Sequence, residues 1–282
     1  MDRGFQKSWT LILITMCLMA ACGLLMVIPF FERHQYAALC VGELSIVLPT
    51  LIGMFMLRNE PETGDSVFKM FSPSLIPILI ILPCMQTFLI YLTLPVQTLL
   101  YEILGERPDS VAAVTSVGEF FVQLLTICLI PAVVEEFLCR GVIMRMLKPY
   151  GIVVSMVVSA LAFTILHMDL YSFIIIFMLG MLLSAVKILT GSIWACVLVH
   201  FSNNLWAVVS TFINAHDMKT AIIAINILSV ILFPAAFLML VGKTRKNVIG
   251  YKEFKKKKMG FSLEMLICLL LFAGMTVAGQ II

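Results

Sequence analysis

Apolar runs long enough to cross a bilayer follow one another along most of the chain. A membrane-spanning helix needs about 20 apolar residues, and lipid offers no partner to an unpaired backbone group, so these runs are predicted to be helices. The strands of a membrane barrel would alternate apolar and polar residues, and these runs do not. We predict nine candidate spans: Trp9–Phe31, Gln35–Leu57, Leu75–Leu104, Val117–Leu147, Gly151–Met168, Tyr171–Leu189, Ser192–Ile213, Ala221–Val241 and Phe261–Ile281.

The predicted fold class is all-α, a polytopic membrane protein of about eight to nine transmembrane helices with a helical-bundle core. The third span carries Pro77, Pro83 and Pro95, which predict a kink because proline interrupts helical hydrogen bonding. The fourth span would reach roughly 46 Å as a straight helix, which is longer than the hydrocarbon is thick. Its end, near Arg145 and Lys148, is therefore expected to leave the hydrocarbon.

Three regions are predicted along the chain. Residues 1–116 form the N-terminal transmembrane helices, and residues 117–213 form the core that carries the polar motifs described below. Residues 214–282 form the C-terminal helices, with a basic loop at 243–258.

Composition agrees with a membrane protein. Hydrophobic residues make up 61% of the chain and charged residues 12%, which excludes disorder and argues against an ordinary soluble domain. The net charge is only +3 and the basic residues are scattered between spans, so the lipid bilayer is predicted as a partner and nucleic acid is not. None of the eight cysteines forms a CxxC pair, and we interpret them as apolar packing residues.

The distribution of basic residues predicts the orientation. With the N-terminus in the cytoplasm, fifteen of the nineteen lysines and arginines lie in cytoplasmic segments, three lie outside, and Arg140 lies inside a span. Positive residues favour the cytoplasmic side, so the N-terminus and the 243–258 loop are predicted to be cytoplasmic. The predicted location is the plasma membrane of a bacterium.

Ionisable residues within the spans are the candidate functional residues, because a charge at membrane depth is costly. They form three sets: Glu135, Glu136 and Arg140 in EEFLCR, His167 at the end of FTILH, and His200 with Asn204 in HFSNN. Glu43 is a further buried acid with no partner in its own span, and its predicted role is structural or interfacial.

Helix geometry divides the two neighbouring acids. Glu136 and Arg140 are four residues apart on one helical face, in the order that favours an ion pair. Glu135 is rotated by about 100° from Glu136 and is free to project elsewhere. Each motif alone also has a purely structural interpretation, such as an amide that bridges two helices. Together they occur on helices joined by short loops, which can bring all three sets to one place within the membrane.

In this order, the three motifs match EExxxR, FxxxH and HxxxN, and on them the chain resembles the CAAX-protease and bacteriocin-processing family, also called the Abi family. The segment KILTGSIW before the third motif also resembles the link between helices in that family. The resemblance covers about residues 117–213, a third of the chain, and no motif position departs from the pattern.

The resemblance implies an intramembrane endopeptidase related to type II CAAX prenyl proteases. By this resemblance, Glu135 activates water with help from His167, while His200 and Asn204 stabilise the oxyanion. Glu136 and Arg140 then hold the site together, and no cofactor is expected. The substrate is a membrane-associated protein or peptide, and a lipidated protein, a peptide pheromone and a bacteriocin precursor all stay open.

Three alternatives stay open beside this hypothesis. Zinc bound by Glu135, His167 and His200 would give a metal-dependent protease, although HExxH is absent and Asn204 suits a hydrogen-bond donor better than a ligand. A non-catalytic scaffold, such as a bacteriocin-immunity protein, could keep the motif residues for structure. A transporter could use them as a proton relay, but its expected internal repeats and interrupted helices are not evident in the sequence.

Overall fold

The computed structural model describes residues 3–58, 69–105, 114, 116–215, 219–244 and 262–278, which are almost entirely helical and contain no strand. Short helical turns lie at Leu24–Val27, Pro29–Arg33 and Pro73–Leu75. The longer helices are α1 (Arg3–Gly23), α2 (Gln35–Leu57), α3 (Ile76–Ile81), α4 (Cys84–Leu104), α5 (Val117–Tyr150), α6 (Ile152–Leu166), α7 (Phe173–Thr190), α8 (Ile193–Ala215), α9 (Lys219–Thr244) and α10 (Leu263–Ala278).

The all-α polytopic class is confirmed, and among the described residues fewer helices reach the length of a full span than the eight to nine predicted. By length and composition, six of the described helices can cross a membrane, or seven if Pro73–Thr87 and Leu92–Ile103, which meet at a bend within α4, form one span. That span bends by 46°, as its prolines predict. Two further predicted spans fall on α6 and α10, whose described apolar segments, Ile152–Leu166 and Leu263–Gly274, are shorter than a full span. An apolar run in the sequence can continue past the last residue of a helix, so the run can contain more residues than the helix itself.

Helix α5 departs twice from regular α-helical hydrogen bonding, which the sequence analysis did not predict. Wider π-helical turns at Leu124–Leu129 and Phe137–Ile143 lie on either side of the α-helical segment Ile130–Glu136. Pro131 accounts for the first, because its ring has no N–H and crowds the carbonyl four residues earlier. Wide turns of this kind are frequent at functional sites.

Small residues allow the helices of the core to approach closely. A Cβ on Gly180 of α7 would lie 2.9 Å from the Cα of Ala160 on α6, and one on Gly53 of α2 would overlap the Val142 side chain of α5. Real Cβ contacts are essentially never that short. The backbones can therefore pack at these distances only with glycine there, as is common between membrane helices.

Candidate active site

The three polar motifs meet in the interior of the bundle. Glu135 projects from α5, His167 follows the last residue of α6, and His200 projects from α8. The Glu135 Oε2 atom lies 3.9 Å from His167 Nε2 and 4.0 Å from His200 Nε2. Along α5, Glu135 lies about 27 Å from Val117 at 1.5 Å per residue, which is near the middle of this 34-residue helix. The carboxylate and both imidazoles therefore meet at membrane depth.

Glu136 is the buried anchor of the cluster. Its Oε1 atom accepts a hydrogen bond from Arg140 Nη1 at 2.7 Å and lies 3.1 Å from His200 Nδ1. The second guanidinium nitrogen of Arg140 donates to the Gly180 carbonyl of α7 at 2.8 Å. Glu136 and Arg140 are fully buried, so this pair links α5 to α7 and α8 within a dry interior.

The phenylalanine of the second motif packs between the charged groups. The Arg140 guanidinium lies 4.7 Å from the centroid of the Phe163 ring, within the range of a cation–π interaction. The same ring meets the imidazoles of His167 and His200 with centroid distances of 4.6 and 5.4 Å. Phe163 therefore orients both histidines and covers the ion pair.

Hydrogen bonding fixes which ring nitrogen of each histidine carries a proton. His167 Nδ1 lies 2.7 Å from the Phe163 carbonyl oxygen, which can only accept, so Nδ1 donates. His200 Nδ1 faces the Glu136 carboxylate, which also accepts. A neutral imidazole has one N–H, so in the neutral form both Nε2 atoms present lone pairs toward Glu135. His167 is 30% exposed and His200 only 2%, which makes His167 the more accessible to water.

Asn204 lies one turn after His200. Its side chain bonds to the α5 backbone at Ile127 and to Asn203 rather than to the Glu135 side chain. Its Nδ2 atom donates to the Ile127 carbonyl at 3.0 Å, and its Oδ1 atom accepts from Asn203 Nδ2 at 3.2 Å. A carboxamide carries two N–H groups, so one remains beyond the bond to Ile127. Asn204 thus joins α8 to the first wide turn of α5.

Glu43 is the polar residue whose surroundings sequence analysis missed. It projects from α2, interacts electrostatically with Glu135, and has a buried Oε2 atom without a hydrogen-bond partner. Seven residues earlier on the same helical face, the Tyr36 hydroxyl accepts from Gln123 of α5. Glu43 was predicted to be structural or interfacial because its partner lies on another helix. Its depth in an apolar span already identified it as a buried acid, but no pattern within one span indicates a neighbour on another helix.

The three candidate zinc ligands do not have the spacing of a closed metal site. Among the described residues, no group of three or more His, Cys, Asp or Glu side chains is placed to hold a metal ion. Ligand atoms around tetrahedral zinc lie about 3.3 Å apart when the metal–ligand distance is about 2.0 Å. The Glu135 oxygen is 3.9 and 4.0 Å from the two histidine nitrogens.

The predicted basic loop at 243–258 lies almost wholly outside the described residues, because the description of α9 ends at Thr244.

The resemblance to CAAX proteases is confirmed by comparison with known families. The sequence model of the family described as type II CAAX prenyl endopeptidase, Rce1-like, matches residues 117–206, the segment that carries all three motifs. No curated protein and no solved structure matches the chain. The match supports an intramembrane protease of the CAAX type, an integral membrane protein that acts on a peptide substrate.

Proposed function

We propose that the chain is an intramembrane endopeptidase in which Glu135 activates a water molecule to hydrolyse a peptide bond of a membrane-associated protein or peptide. The observation that carries the proposal is the convergence of His167 Nε2 and His200 Nε2 on one oxygen of Glu135. A carboxylate beside imidazole is a suitable general base, and no serine or cysteine nucleophile is required.

The spacing in the site suits a water shared between Glu135 and His167. The distance of 3.9 Å is too long for a direct hydrogen bond, but both atoms can bind one water molecule. His167 Nε2 accepts a hydrogen bond from one O–H of that water, which keeps this hydrogen, and Glu135 removes the other proton as the oxygen attacks the carbonyl carbon. Glu135 then passes the proton to the leaving nitrogen as the C–N bond breaks.

The charge that develops on the carbonyl oxygen requires hydrogen-bond donors. His200 donates through Nε2 when its ring is protonated on both nitrogens, and Glu136 accepts from Nδ1 of that imidazolium. The second N–H of Asn204 is the other donor. With His200 charged, the two positive charges of His200 and Arg140 balance those of Glu135 and Glu136, as a site in hydrocarbon requires.

The family description and the basic residues extend the proposal to the substrate and to the orientation in the membrane. The family description names prenyl endopeptidases, so a prenylated peptide is the first substrate to test, and a peptide pheromone or bacteriocin precursor is the next. The proposed location is a bacterial plasma membrane, and the excess of basic residues in alternate segments favours a cytoplasmic N-terminus.

The test is hydrolysis by the purified full chain in lipid vesicles, using a quenched fluorescent peptide with a farnesylated CAAX end and the same peptide without the lipid. Glu135→Gln should lower cleavage by about a hundredfold or more, because a general base contributes at least that much. Its yield and unfolding midpoint should match the parent. Glu102→Gln, at an exposed carboxylate of α4, is the control. Cleavage by Glu135→Gln at the parental rate would refute the proposal and favour a scaffold.

A zinc-dependent protease is the second candidate, because both Nε2 lone pairs point toward Glu135. The two are separated by chelation with 1,10-phenanthroline. We expect cleavage to persist, since water activation by Glu135 and His167 needs no Lewis acid. Loss of cleavage that zinc alone restores would assign Glu135, His167 and His200 as ligands instead.

A further inference from the structure

The side-chain amide of Asn204 is held at both ends. Its Oδ1 accepts from Asn203, and one Nδ2 hydrogen is donated to the Ile127 carbonyl of α5 at 3.0 Å. A carbonyl oxygen cannot donate, so this pairing fixes which end of the carboxamide carries the nitrogen. The direction of the remaining N–H is therefore set by the position of the Ile127 carbonyl.

Residue 131 determines whether that carbonyl has a competing N–H within its own helix. In a regular α-helix, Ile127 O would accept from the N–H of the residue four positions later. That residue is Pro131, which has no N–H, and its ring crowds the Ile127 carbonyl. The chain widens into a π-helical turn over Leu124–Leu129, immediately before Pro131.

We propose that Pro131 is a positioning residue for peptide hydrolysis, because it withholds the N–H that would compete with Asn204 for the Ile127 carbonyl. Ile127 then holds one N–H of Asn204 and aims the other at the oxyanion. The proposal rests on the proposed function, in which Asn204 is an oxyanion donor.

The same bond joins the two helices that carry the reacting groups. Asn204 lies one turn from His200 on α8, and Ile127 lies two turns from Glu135 on α5. The bond between them therefore resists sliding of α8 along α5. Such sliding would change the distance between His200 Nε2 and Glu135 Oε2.

The kinetic test is Pro131→Ala, which restores the N–H. A proline removed from a helix interior ordinarily stabilises the fold or leaves it unchanged. We expect kcat to fall about tenfold with KM within about twofold, since complete loss of an oxyanion donor costs about a hundredfold or more. The unfolding midpoint should not fall. Pro234→Ala, at a proline inside α9, is the matched control and should keep the parental kcat.

A second measurement needs no substrate. Asn204→Ala is made in the parent and in Pro131→Ala, and the unfolding midpoint of all four full-length proteins is measured in the same detergent. We expect the shift caused by Asn204→Ala to be at most half as large in the Pro131→Ala background, because the new N–H satisfies Ile127. Pro131→Val restores the same N–H and replaces Pro131→Ala if that variant folds poorly.

These outcomes separate the inference from the proposed function. A parental kcat in Pro131→Ala, or equal Asn204→Ala shifts in both backgrounds, overturns the role of Pro131. If Glu135→Gln cleaves like the parent but the two shifts differ, Pro131 and Asn204 are energetically coupled through the Ile127 carbonyl. In that case the coupling has no role in hydrolysis by Glu135. A fall of kcat without loss of stability, together with unequal shifts, supports the whole proposal.

Discussion

Glu136 is the residue on which the polar contacts of the site converge. One of its oxygens meets both Arg140 and His200, whereas its neighbour Glu135 accepts no hydrogen bond at Oε2. Two adjacent glutamates therefore have different surroundings because a helix rotates by about 100° per residue. This division allows one acid to hold the site while the other is free to react.

Arg140→Ala should destabilise the protein more than any exposed substitution. It leaves the Glu136 carboxylate buried without its guanidinium partner, and breaking a buried pair typically costs about 3–5 kcal/mol. The measurement is the free energy of unfolding in detergent, with Arg145→Ala, at a partly exposed arginine of α5, as the control. An Arg140→Ala protein that unfolds like the parent would show that the ion pair has no structural role.

Glu43→Leu should have the opposite effect on stability. The Glu43 side chain has a buried oxygen with no hydrogen-bond partner and faces the acidic Glu135. Removing an unsatisfied buried polar atom relieves a penalty of about 1–3 kcal/mol. We expect a higher unfolding midpoint in Glu43→Leu than in the isosteric Glu43→Gln, which keeps a polar group there. A lower midpoint in Glu43→Leu would mean that the carboxyl group has a stabilising partner.

Among the elements, α5 and α7 position the site through backbone atoms. The Ile127 and Cys139 carbonyls of α5, in its two wide turns, accept from Asn204 and Ser159 of neighbouring helices. The Gly180 carbonyl of α7 accepts from Arg140. Helix irregularity therefore provides acceptors that regular helices would keep within themselves.

Gly180→Ala and Gly274→Ala should change stability in opposite directions. An alanine Cβ at Gly180 would meet the α6 backbone at 2.9 Å, which forces α6 and α7 apart and typically costs about 1–3 kcal/mol. At Gly274 nothing lies within 4 Å, so alanine should gain about 0.5–1 kcal/mol from its higher helix propensity. Unfolding midpoints of the two variants check this. Equal stabilisation of both would show that α6 and α7 are not tightly packed at Gly180.

The sequence predicted those parts of the site that follow from spacing within one helix. The pairing of Glu136 with Arg140 is an example, because residues four apart share a face. It did not predict the neighbours of Glu43, which depend on how α2 packs against α5. The wide turn at Phe137–Ile143 was also missed, because hydrophobic patterning is nearly the same for a helix with one extra residue in a turn.

At the scale of the whole molecule, the predicted orientation depends on which helices cross the membrane. The prediction uses residues on both ends of α5, α6 and α7, and it requires each of these helices to cross the membrane, including α6, which is shorter than a full span. Lys148 and Lys187 lie on the same side only if α6 and α7 form a complete outward and return crossing.

Cysteine labelling tests this orientation. In a chain whose eight cysteines are replaced, Gly250→Cys should react with an impermeant maleimide only after the cells are opened. Asp109→Cys, between the third and fourth predicted spans, should react in intact cells. Both expectations follow from the excess of basic residues on the cytoplasmic side. Labelling of Gly250→Cys in intact cells would invert the predicted topology.

The short length of α6 has a consequence for the lipid around the site. Its 15 residues rise about 22 Å, whereas the hydrocarbon core is about 30 Å thick. Val153 and Val157 are exposed on its surface, so lipid acyl chains meet this helix directly. Local thinning of the bilayer is one response to such a hydrophobic mismatch, and we expect it to bring headgroup water toward His167 at the end of α6. Acyl chain length then becomes a determinant of how readily water reaches the buried carboxylate.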